Sequence, residues 1–273
     1  MSQLDGKRVG FLGGGAMAEA LAGGLLAAGV APGDVCVADP APARRKHLEE
    51  RLGVATTADN DVAAADRDVV VVAVKPGVVD AALASAGASA DGPLWISIAA
   101  GVTLARLAAA LPAGARIVRA MPNTPALVRS GATAVVAGEH ATRDDLALAT
   151  ALFESVGHCW VAPDEKLLDA VTGLSGSGPA YVFVFLEALA DAGVRVGLPR
   201  DAAMALATQT VLGAARLASE GDRHPAQLKD QVTSPGGTTI AGLERLEAAG
   251  LRAAVYDAVA AATRRSKELG DES

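Results

Sequence analysis

Short apolar, β-branched runs alternate with alanine-rich stretches of helical periodicity from the start of the chain to about Val161. The predicted strands are Val9–Leu12, Val35–Ala38, Val69–Val74, Trp95–Ile98 and Ile117–Arg119, with Thr133–Ala137 and His158–Val161 as later strands at the sheet edge. Parallel strands need crossover helices, and strands buried on both faces appear as nearly continuous apolar runs. The alternation therefore predicts an α/β fold built on a doubly wound parallel sheet.

The strand pattern stops near Ala162–Glu165, and long helical patterns follow. The predicted helices are Pro179–Val194, Arg200–Gly221, Pro225–Thr233, Thr238–Ala249 and Leu251–Leu269. We therefore expect two domains, an α/β domain over residues 1–162 and an all-α domain over residues 163–273. Several of the helices are apolar around much of their circumference, which favours burial against another subunit and predicts a homo-oligomer.

Composition and charge narrow the classes of function. The 273 residues carry a net charge of −7 without a block of Lys and Arg, so we do not expect a nucleic-acid partner. Cys36 and Cys159 form no Cys-x-x-Cys pair and no His cluster accompanies them, so we expect no metal. The longest uncharged stretch, Ala170–Leu186, falls short of the ~18 apolar residues of a membrane span, and the N-terminus shows no secretory segment. We expect a soluble, cytoplasmic protein with no membrane partner.

The first predicted strand runs into Gly13-Gly14-Gly15-Ala16-Met17-Ala18, which has the form G-x-G-x-x-A between a strand and a helix. The first glycine permits a tight turn, the second lets a pyrophosphate approach the backbone, and the small last residue lets the helix pack on the sheet. The structural alternative is an ordinary turn in a chain rich in Ala and Gly. The motif predicts a dinucleotide cofactor, NADPH or NADH.

Charged residues after the second strand bear on the choice between these dinucleotides. Asp39 stands where a carboxylate accepts hydrogen bonds from the adenosine ribose and repels an added 2′-phosphate, which favours NADH. Arg44 and Arg45 follow closely and offer either a grip on the 2′-phosphate of NADPH or a solvated helix face. The sequence leaves the choice open.

The third, fourth and fifth predicted strands end in Ala73-Val74-Lys75-Pro76, Ser97-Ile98-Ala99-Ala100-Gly101 and Met121-Pro122-Asn123-Thr124-Pro125. The carboxyl ends of parallel strands meet at the crevice where doubly wound sheets bind ligands. Lys75 is either a ligand of the phosphates or a surface cap. Asn123, in a loop fixed by two prolines, either positions a carboxamide or a substrate, or holds a structural turn.

A second glycine-rich segment, Thr233-Ser234-Pro235-Gly236-Gly237-Thr238-Thr239, opens another helical stretch. Glycines let a ligand approach the backbone, the first helical turn leaves N–H groups without internal partners, and hydroxyls add further hydrogen bonds. The segment predicts a cradle for a small carboxylate. An ordinary helix cap made by Ser234 or Thr238 is the structural alternative.

These motifs together resemble those of the pyrroline-5-carboxylate reductases, which catalyse the last step of proline synthesis. The resemblance runs nearly end to end and rests on Gly10–Ala18, Ala73–Pro76, Ser97–Gly101, Met121–Pro125, Gly173–Tyr181, Gly197–Pro199 and His224–Thr239. The first segment is shared by many dehydrogenases, whereas the last three together are specific. The resemblance implies a Rossmann-type domain followed by an all-α dimerisation and substrate-binding domain, with dimers that assemble into a larger ring such as a decamer.

The resemblance also implies roles for single residues. The family's cofactor contacts fall on Leu12, Gly13, Gly14, Gly15, Ala16, Met17, Asp39, Pro40, Asn60, Ala73, Val74, Lys75, Pro76, Ile98, Ala99 and Ala100. Asn123 and Gln231 are further cofactor candidates, and the substrate segment comprises Ser234, Gly236, Gly237, Thr238 and Thr239. Asp39 replaces a short neutral residue of some relatives, and Gln231 replaces an asparagine of others. Both departures bear on which nicotinamide dinucleotide is used.

Reduction of a cyclic imine requires little acid–base machinery, because protonation already makes the C=N carbon electrophilic. The protein must mainly hold the ring against the nicotinamide. We expect the substrate carboxylate in the Ser234–Thr239 segment and a hydrogen bond between the catalytic Thr239 and the ring nitrogen. This chemistry requires the Gly13–Met17 and Ser234–Thr239 turns to meet across a domain or subunit seam.

Other functions compete with this prediction. A β-hydroxyacid dehydrogenase joins similar domains but needs a lysine for the alcohol proton, in the pattern G-x-x-G-x-G-x-x-x-K. The segment Gly173–Val182 matches those glycines and has Val182 at the lysine position, which favours the imine. A reductase of a related cyclic imine, or a non-catalytic dinucleotide sensor, are the remaining alternatives.

Overall fold

The computed structural model describes residues 3–87 and 92–271 of the chain. By their internal contacts the residues form two compact units, one of Met1–Ser177 with Ala260–Ser273 and the other of Gly178–Val259. The first unit contains the sheet and the second is helical. The last residues of the chain therefore belong to the sheet-containing unit, while the proposed functional boundary after residue 162 stays a prediction.

An eight-stranded sheet is the framework of the first unit. Its strands are β1 Val9–Leu12, β2 Val35–Ala38, β3 Ala55–Thr57, β4 Val69–Val72, β5 Leu94–Ser97, β6 Ile117–Met121, β7 Gly131–Ala137 and β8 Gly157–Val161. They lie in the order β3-β2-β1-β4-β5-β6-β7-β8. The first six strands run parallel, which confirms the α/β, doubly wound prediction.

Strand β7 runs antiparallel to β6, so the sheet departs from the parallel arrangement at this position, a direction that the sequence pattern does not predict. The connection between the two strands contains only the 3-10 turn Thr124–Val128. A parallel pair would need a crossover of roughly a dozen residues or more, and this loop is too short for one. Strand β8 is parallel to β7, and the short, partly exposed β3 is absent from the predicted strands.

Helices cover both faces of the sheet. In the first unit they are α1 Ala16–Ala27, α2 Pro42–Leu52, α3 Asn60–Ala64, α4 Val79–Ala84, α5 Leu104–Ala110, α6 Arg143–Glu154 and α7 Leu167–Val171. Successive residues of a strand point to opposite faces. Phe11 of β1 therefore lies in one buried cluster with Leu21 of α1, whereas Leu12 lies in the other with Leu83 of α4 and Leu107 of α5.

Helix α7 continues into the π-helical turn Thr172–Gly176, where the N–H of Ser177 donates to the carbonyl of Thr172 at 2.8 Å. The chain returns to this region at its C-terminal end. The buried hydroxyl of Ser266 donates to Asp169 Oδ1 of α7 at 2.7 Å. This contact shows why the end of the chain belongs to the first unit.

The second unit is built from helices. They are α8 Gly178–Arg195, α9 Arg200–Glu220, α10 Pro225–Gln231, α11 Thr238–Ala248 and the first part of α12 Leu251–Asp271. Each helix boundary lies within two residues of its predicted position. Helices α8 and α9 approach closely at Gly193, where an added Cβ would lie 3.0 Å from Ala203 Cβ.

Large apolar side chains are exposed on the second unit. Within Gly178–Val259 the buried residues are Ala190, Ala203 and Ala207, whereas Phe183 and Val184 of α8 are 63% and 67% exposed. The helical stretch Leu167–Arg195 has the length and the mean hydropathy, 1.2, of a membrane span, with 11% of its most apolar window buried. An apolar helical stretch of which so little is buried within the chain is typical of a surface that packs against a partner.

Candidate functional site

The loops with the predicted cofactor residues lie at one edge of the sheet. Main-chain hydrogen bonds join neighbouring loops there, from Gly13 N to the Ala38 carbonyl and from Ala73 N to the Leu12 carbonyl, both at 2.8 Å. Strand β1 lies between β2 and β4, so the strand order reverses at this point, where doubly wound sheets bind ligands. The segments at this edge are Leu12–Met17, Asp39–Pro40, Asn60, Ala73–Pro76 and Ile98–Ala100.

The three glycines after β1 differ in what surrounds them. Gly13 has φ +95°, in the left-handed region, and its added Cβ would lie 2.8 Å from the Ala73 carbonyl oxygen. A Cβ on Gly14 would lie 2.9 Å from Leu48 Cδ1. A Cβ on Gly15 would meet no atom of the described residues within 4 Å. The fold itself therefore requires glycine at position 13 and leaves little room for a side chain at position 14, whereas Gly15 faces open space.

Helix α1 begins beside that open space. Gly15 is its N-cap and offers no side-chain cap, and the N–H groups of Ala16, Met17 and Ala18 have no partner in the described chain. Free N–H groups and the positive end of the helix dipole attract anions. The turn can therefore hold a pyrophosphate.

The carboxylate of Asp39 lies against the same turn. Its Oδ2 accepts a hydrogen bond from Gly14 N at 3.0 Å, and its Oδ1 accepts one from Ala41 N at 2.9 Å. Each carboxylate oxygen can accept a second hydrogen bond. Acceptor capacity for a ribose hydroxyl therefore remains on Asp39.

Neither arginine of α2 is an unattached surface side chain. Arg44 Nε donates to the Gly14 carbonyl, and Arg44 Nη2 donates to the Gly15 carbonyl at 3.1 Å and to Glu19 Oε2 at 2.5 Å. Arg45 Nη1 donates to the two main-chain carbonyls that follow β2. The solvated-face alternative is therefore wrong, because both guanidinium groups hold backbone at the cofactor edge.

Glu19, on the first turn of α1, is the centre of a charged cluster that the sequence pattern does not reveal. Besides Arg44, the carboxylate contacts His47 Nε2 and Arg51 Nε, each at 3.1 Å. Burial alone would raise the pKa of Glu19, but hydrogen bonds from Arg44 and His47 and the charges of both residues outweigh it. The pKa of Glu19 consequently lies below its ordinary value of 4.5, so the side chain is anionic at neutral pH.

The other candidates along this edge present different groups. Lys75 is exposed before the 3-10 turn Pro76–Val78, and its ammonium makes no hydrogen bond within the described ranges. Asn60 Nδ2 donates to Ser85 Oγ at 2.9 Å. Ala99 is 4% exposed, so a ligand would contact it mainly through its backbone.

Asn123 holds two parts of the first unit together. Its Nδ2 donates to the Ser175 carbonyl of the π turn at 2.9 Å, and its Oδ1 accepts from Ala132 N at 2.8 Å. The side chain is nearly buried, and one Nδ2 hydrogen remains for another acceptor. This geometry supports the structural alternative for Asn123, and its contact with the cofactor stays a prediction. The glycine-rich segment Gly173–Gly178 is the sequence signal for the turn.

The predicted carboxylate cradle lies in the second unit, at the start of α11. Gly237 is the N-cap, and no side chain of the described residues caps this helix, so the alternative of an ordinary Ser234 or Thr238 cap is wrong. Gly236 has φ +65°, in the left-handed region. Gly237 N donates to the Ser234 carbonyl at 3.0 Å, and an added Cβ on Gly237 would collide with Ser234 Oγ. Glycine at 237 therefore lets the hydroxyl lie against the turn.

Several main-chain N–H groups lie free at the start of this helix. The N–H groups of Thr238, Thr239 and Ile240 have no hydrogen-bond partner in the part of the chain that the structure describes. Thr239 is half-buried, while Ser234 and Thr238 are exposed. Together with the dipole of the eleven-residue helix, these donors suit a carboxylate.

The polar residues before the cradle are mostly engaged with one another. Lys229 Nζ pairs with Asp230 Oδ1 at 2.6 Å, and His224 Nδ1 accepts from Ala226 N at the start of α10. Gln231 is exposed at the last position of α10. The structure thus gives Lys229 a local partner, and Gln231 remains available to a ligand.

Both cysteines, Cys36 and Cys159, are buried, and their surroundings favour the thiol form. Burial raises the pKa of Cys36, against the opposing effect of Arg67, and burial together with the Glu154 charge raises the pKa of Cys159 to about 12. Both thiols are therefore protonated at neutral pH. Over residues 3–87 and 92–271, no three His, Cys, Asp or Glu side chains are grouped so as to hold a metal ion.

Known proteins resemble the chain over almost its whole length. A family model for pyrroline-5-carboxylate reductase dimerisation matches residues 165–269, and one for coenzyme F420-dependent NADP oxidoreductases matches residues 8–101. The pyrroline-5-carboxylate reductase of Synechocystis is 52% identical, with 96% of this chain and 98% of the relative covered. That of Escherichia coli is 43% identical, with the same coverage of both chains. The chain belongs to the pyrroline-5-carboxylate reductase family.

Solved structures of pyrroline-5-carboxylate reductases have the same fold. The Coxiella burnetii enzyme superposes with a TM-score of 0.91 at 40% identity, covering 96% of this chain and 98% of that one. The Plasmodium falciparum enzyme, solved with NADP bound, superposes with a TM-score of 0.86 at 32% identity, covering 97% and 99%. The predicted succession of a Rossmann-type domain and an all-α dimerisation domain is thereby confirmed. The β-hydroxyacid dehydrogenase alternative gains no support from these relatives.

Membership in the pyrroline-5-carboxylate reductase family agrees with the chemistry of both turns. The open side of Gly15 and the free N–H groups of α1 fit a dinucleotide. The free N–H groups and hydroxyls of Ser234–Thr239 fit a carboxylate. The residue assignments themselves rest on the sequence resemblance and stay predictions.

Proposed function

We propose that the chain reduces 1-pyrroline-5-carboxylate to L-proline with NADPH or NADH, the last step of proline biosynthesis. The observation that carries the proposal is the 52% identity over 96% of the chain to a relative of that name. Both glycine-rich turns lie within the matched length, so the similarity extends over the two segments that would do the chemistry.

The cofactor site in this proposal is the carboxyl edge of the sheet. The pyrophosphate lies on the N–H groups at the start of α1, and Asp39 accepts hydrogen bonds from the adenosine ribose. The proposed contacts are Leu12, Gly13, Gly14, Gly15, Ala16, Met17, Asp39, Pro40, Asn60, Ala73, Val74, Lys75, Pro76, Ile98, Ala99, Ala100, Asn123 and Gln231. When bound, NAD(P)H supplies the hydride.

The substrate site in this proposal is the start of α11. The carboxylate lies on the N–H groups that follow Gly236 and Gly237, with a further hydrogen bond from the Ser234 hydroxyl. The Thr238 N–H belongs to the same set, and the Thr239 hydroxyl contacts the ring nitrogen as the catalytic residue. Three free N–H groups and the open helix start support this arrangement.

Catalysis in this proposal is chiefly positioning. A protonated cyclic imine is already electrophilic at carbon, so the chain needs no strong general base. The residues must hold the ring in one orientation and lower the entropy cost of bringing the reactants together. The two turns, Gly13–Met17 and Ser234–Thr239, must then serve one site formed across a domain or subunit seam.

We also propose that the protein works as a cytoplasmic homodimer that assembles into a larger ring such as a decamer. The dimerisation match over residues 165–269 and the exposed apolar side chains of α8 support a partner of the same kind. A second copy would cover the stretch Leu167–Arg195 without any membrane. The two matches, at 8–101 and 165–269, also support the functional division into residues 1–162 and 163–273.

Steady-state assays of the purified protein test the proposed function. Pyrroline-5-carboxylate, a related cyclic imine and a panel of 3-hydroxyacids are offered in turn, with NADH and NADPH or their oxidised forms. We expect the highest kcat/KM for pyrroline-5-carboxylate. Turnover of the hydroxyacids alone would support the dehydrogenase instead, and cofactor binding without turnover of any substrate would support a sensor.

A further inference from the structure

We propose that Arg44, held by Glu19, is a positioning residue that orients the pyrophosphate-binding N–H groups of the Gly13–Ala16 turn, and that it is not a ligand of a 2′-phosphate. This inference rests on the proposed binding of a dinucleotide. It gives Arg44 a role that differs from both roles that the sequence leaves open for an arginine after the second strand.

The residue Gly14 is fixed from both sides by charged side chains. Its N–H donates to Asp39 Oδ2 at 3.0 Å, and its carbonyl accepts from Arg44 Nε. The next carbonyl, that of Gly15, accepts from Arg44 Nη2 at 3.1 Å. A single guanidinium therefore holds two consecutive carbonyls of the turn.

Holding these carbonyls fixes the N–H groups across the same peptide bonds. In a trans peptide the C=O and the following N–H lie in one plane and point in opposite directions. Carbonyls of Gly14 and Gly15 that face Arg44 consequently turn the N–H groups of Gly15 and Ala16 away from it. Neither N–H has a partner within the described ranges, and the side of Gly15 where a Cβ would stand is open.

Glu19 keeps the guanidinium in this orientation. Its side chain is 11% exposed, and its carboxylate contacts Arg44 Nη2 at 2.5 Å, so the Nε and Nη2 donors of Arg44 are all committed within the protein. Only Nη1 remains, and it cannot provide the two-nitrogen fork with which arginine grips a phosphate. Arg44 thus serves the pyrophosphate turn, which NADH and NADPH share.

Arg51 provides a matched control because it contacts the same carboxylate. Arg51 Nε lies 3.1 Å from Glu19 Oε1, and its side chain is 66% exposed. In the described structure Arg51 makes no hydrogen bond to the glycine turn. Its removal tests the loss of one positive charge near Glu19 without the loss of the carbonyl contacts.

Direct binding measurements of NADH and NADPH, without imine, test the proposal on Arg44→Gln, Glu19→Gln and Arg51→Gln proteins. We expect R44Q to raise both dissociation constants by about tenfold, because charge-assisted hydrogen bonds are lost, with their ratio unchanged. E19Q should raise both constants by a smaller factor, and R51Q should leave both unchanged. In turnover, R44Q should raise KM for both cofactors while kcat at saturating cofactor is kept.

A weaker affinity of R44Q for NADPH alone would identify Arg44 as a 2′-phosphate ligand and overturn the proposal, as would unchanged affinity for both cofactors. A merely structural role would lower the melting temperature and the active fraction, hence kcat, and would leave KM unchanged. If R44Q does not fold, the proposal is tested on E19Q, which keeps Arg44, by its dissociation constants for NADH and NADPH. Absence of imine turnover by the unmodified protein would contradict the proposed function and leave this binding test intact.

Discussion

Gly14 and Gly15 are neighbours in one turn, yet substitution should affect them through different physical effects. Gly15 is the N-cap of α1 and has φ −64°, which an alanine can adopt, and the space where its Cβ would stand is open. The G15A protein without cofactor should therefore fold normally. The added methyl would occupy the space in which we place the pyrophosphate. We expect G15A to keep its melting temperature and to bind NADH and NADPH about tenfold or more weakly.

The matched variant G14A should mainly lose stability and not cofactor affinity. Its Cβ would lie 2.9 Å from Leu48 Cδ1 and 3.2 Å from Asp39 Cβ, so the core must shift. Overpacking of this kind costs about 1–3 kcal/mol of unfolding free energy. Thermal or urea unfolding of both variants, together with calorimetric titration of NADH, separates the two effects. Equal cofactor affinity of G15A and the unmodified protein would argue against a pyrophosphate at this turn.

Thr239 and Thr238 allow a similar comparison at the substrate turn. Thr239→Val removes the hydroxyl that we assign to the ring nitrogen and keeps the side-chain shape. The loss should weaken transition-state stabilisation by about 1–3 kcal/mol, seen as a lower kcat/KM for the imine. Thr238→Val keeps the N–H that we assign to the carboxylate and should change kcat/KM little. A larger loss in T238V than in T239V would reverse the two roles.

At the scale of elements, Asn123 joins the end of β6 to the π turn Thr172–Gly176. Asn123→Ala would leave the Ser175 carbonyl and the Ala132 N–H without their partner, at a cost of about 1–3 kcal/mol. We expect a lower unfolding free energy in urea, with the slope of the transition unchanged. Unchanged stability combined with weaker cofactor binding would instead support a ligand role for Asn123.

Elements differ in how well the sequence predicts them. Strands β1, β2 and β4 are predictable because buried parallel strands are continuous apolar runs. The antiparallel direction of β7 is not predictable from its apolar run, because such a run has no direction. Only the short Thr124–Val128 connection decides the direction. Strand β3 has three partly exposed residues and therefore a weak pattern.

The residues of the candidate site also differ in how well the sequence predicts them. Both glycine-rich turns are predictable, because close approach and free N–H groups require particular residue types at a fixed spacing. The Arg44–Glu19 pair is not predictable, because the partners are 25 residues apart and the arginine also contacts main-chain carbonyls, which have no sequence signature. Asn123 looks like a ligand in the sequence, but the contacts of its side chain are visible only in the fold.

For the whole molecule, the thin core of the second unit predicts self-association. Its buried residues are three alanines. Burial of exposed apolar side chains such as Phe183 and Val184 against a partner would lower the free energy of the protein. We expect the unmodified protein to be a dimer or larger by light scattering during gel filtration. Phe183→Asp should shift the mass towards the monomer and lower the melting temperature.

Val128, an exposed apolar residue of the first unit, supplies the control for this experiment. It is 74% exposed, more than Phe183 at 63%, so Val128→Asp tests the effect of a new surface charge outside α8. We expect its mass to equal that of the unmodified protein. A monomeric unmodified protein, or identical masses for F183D and V128D, would contradict an interface on α8.

Isotope transfer from the cofactor to the product is the most direct measurement of the proposed reaction. The protein is given pyrroline-5-carboxylate with NADH or NADPH that carries deuterium at the transferable C4 position, and the product is analysed by mass spectrometry. We predict L-proline with one deuterium at the former imine carbon. Oxidation of the cofactor without proline, or proline without deuterium, would contradict hydride transfer to this imine.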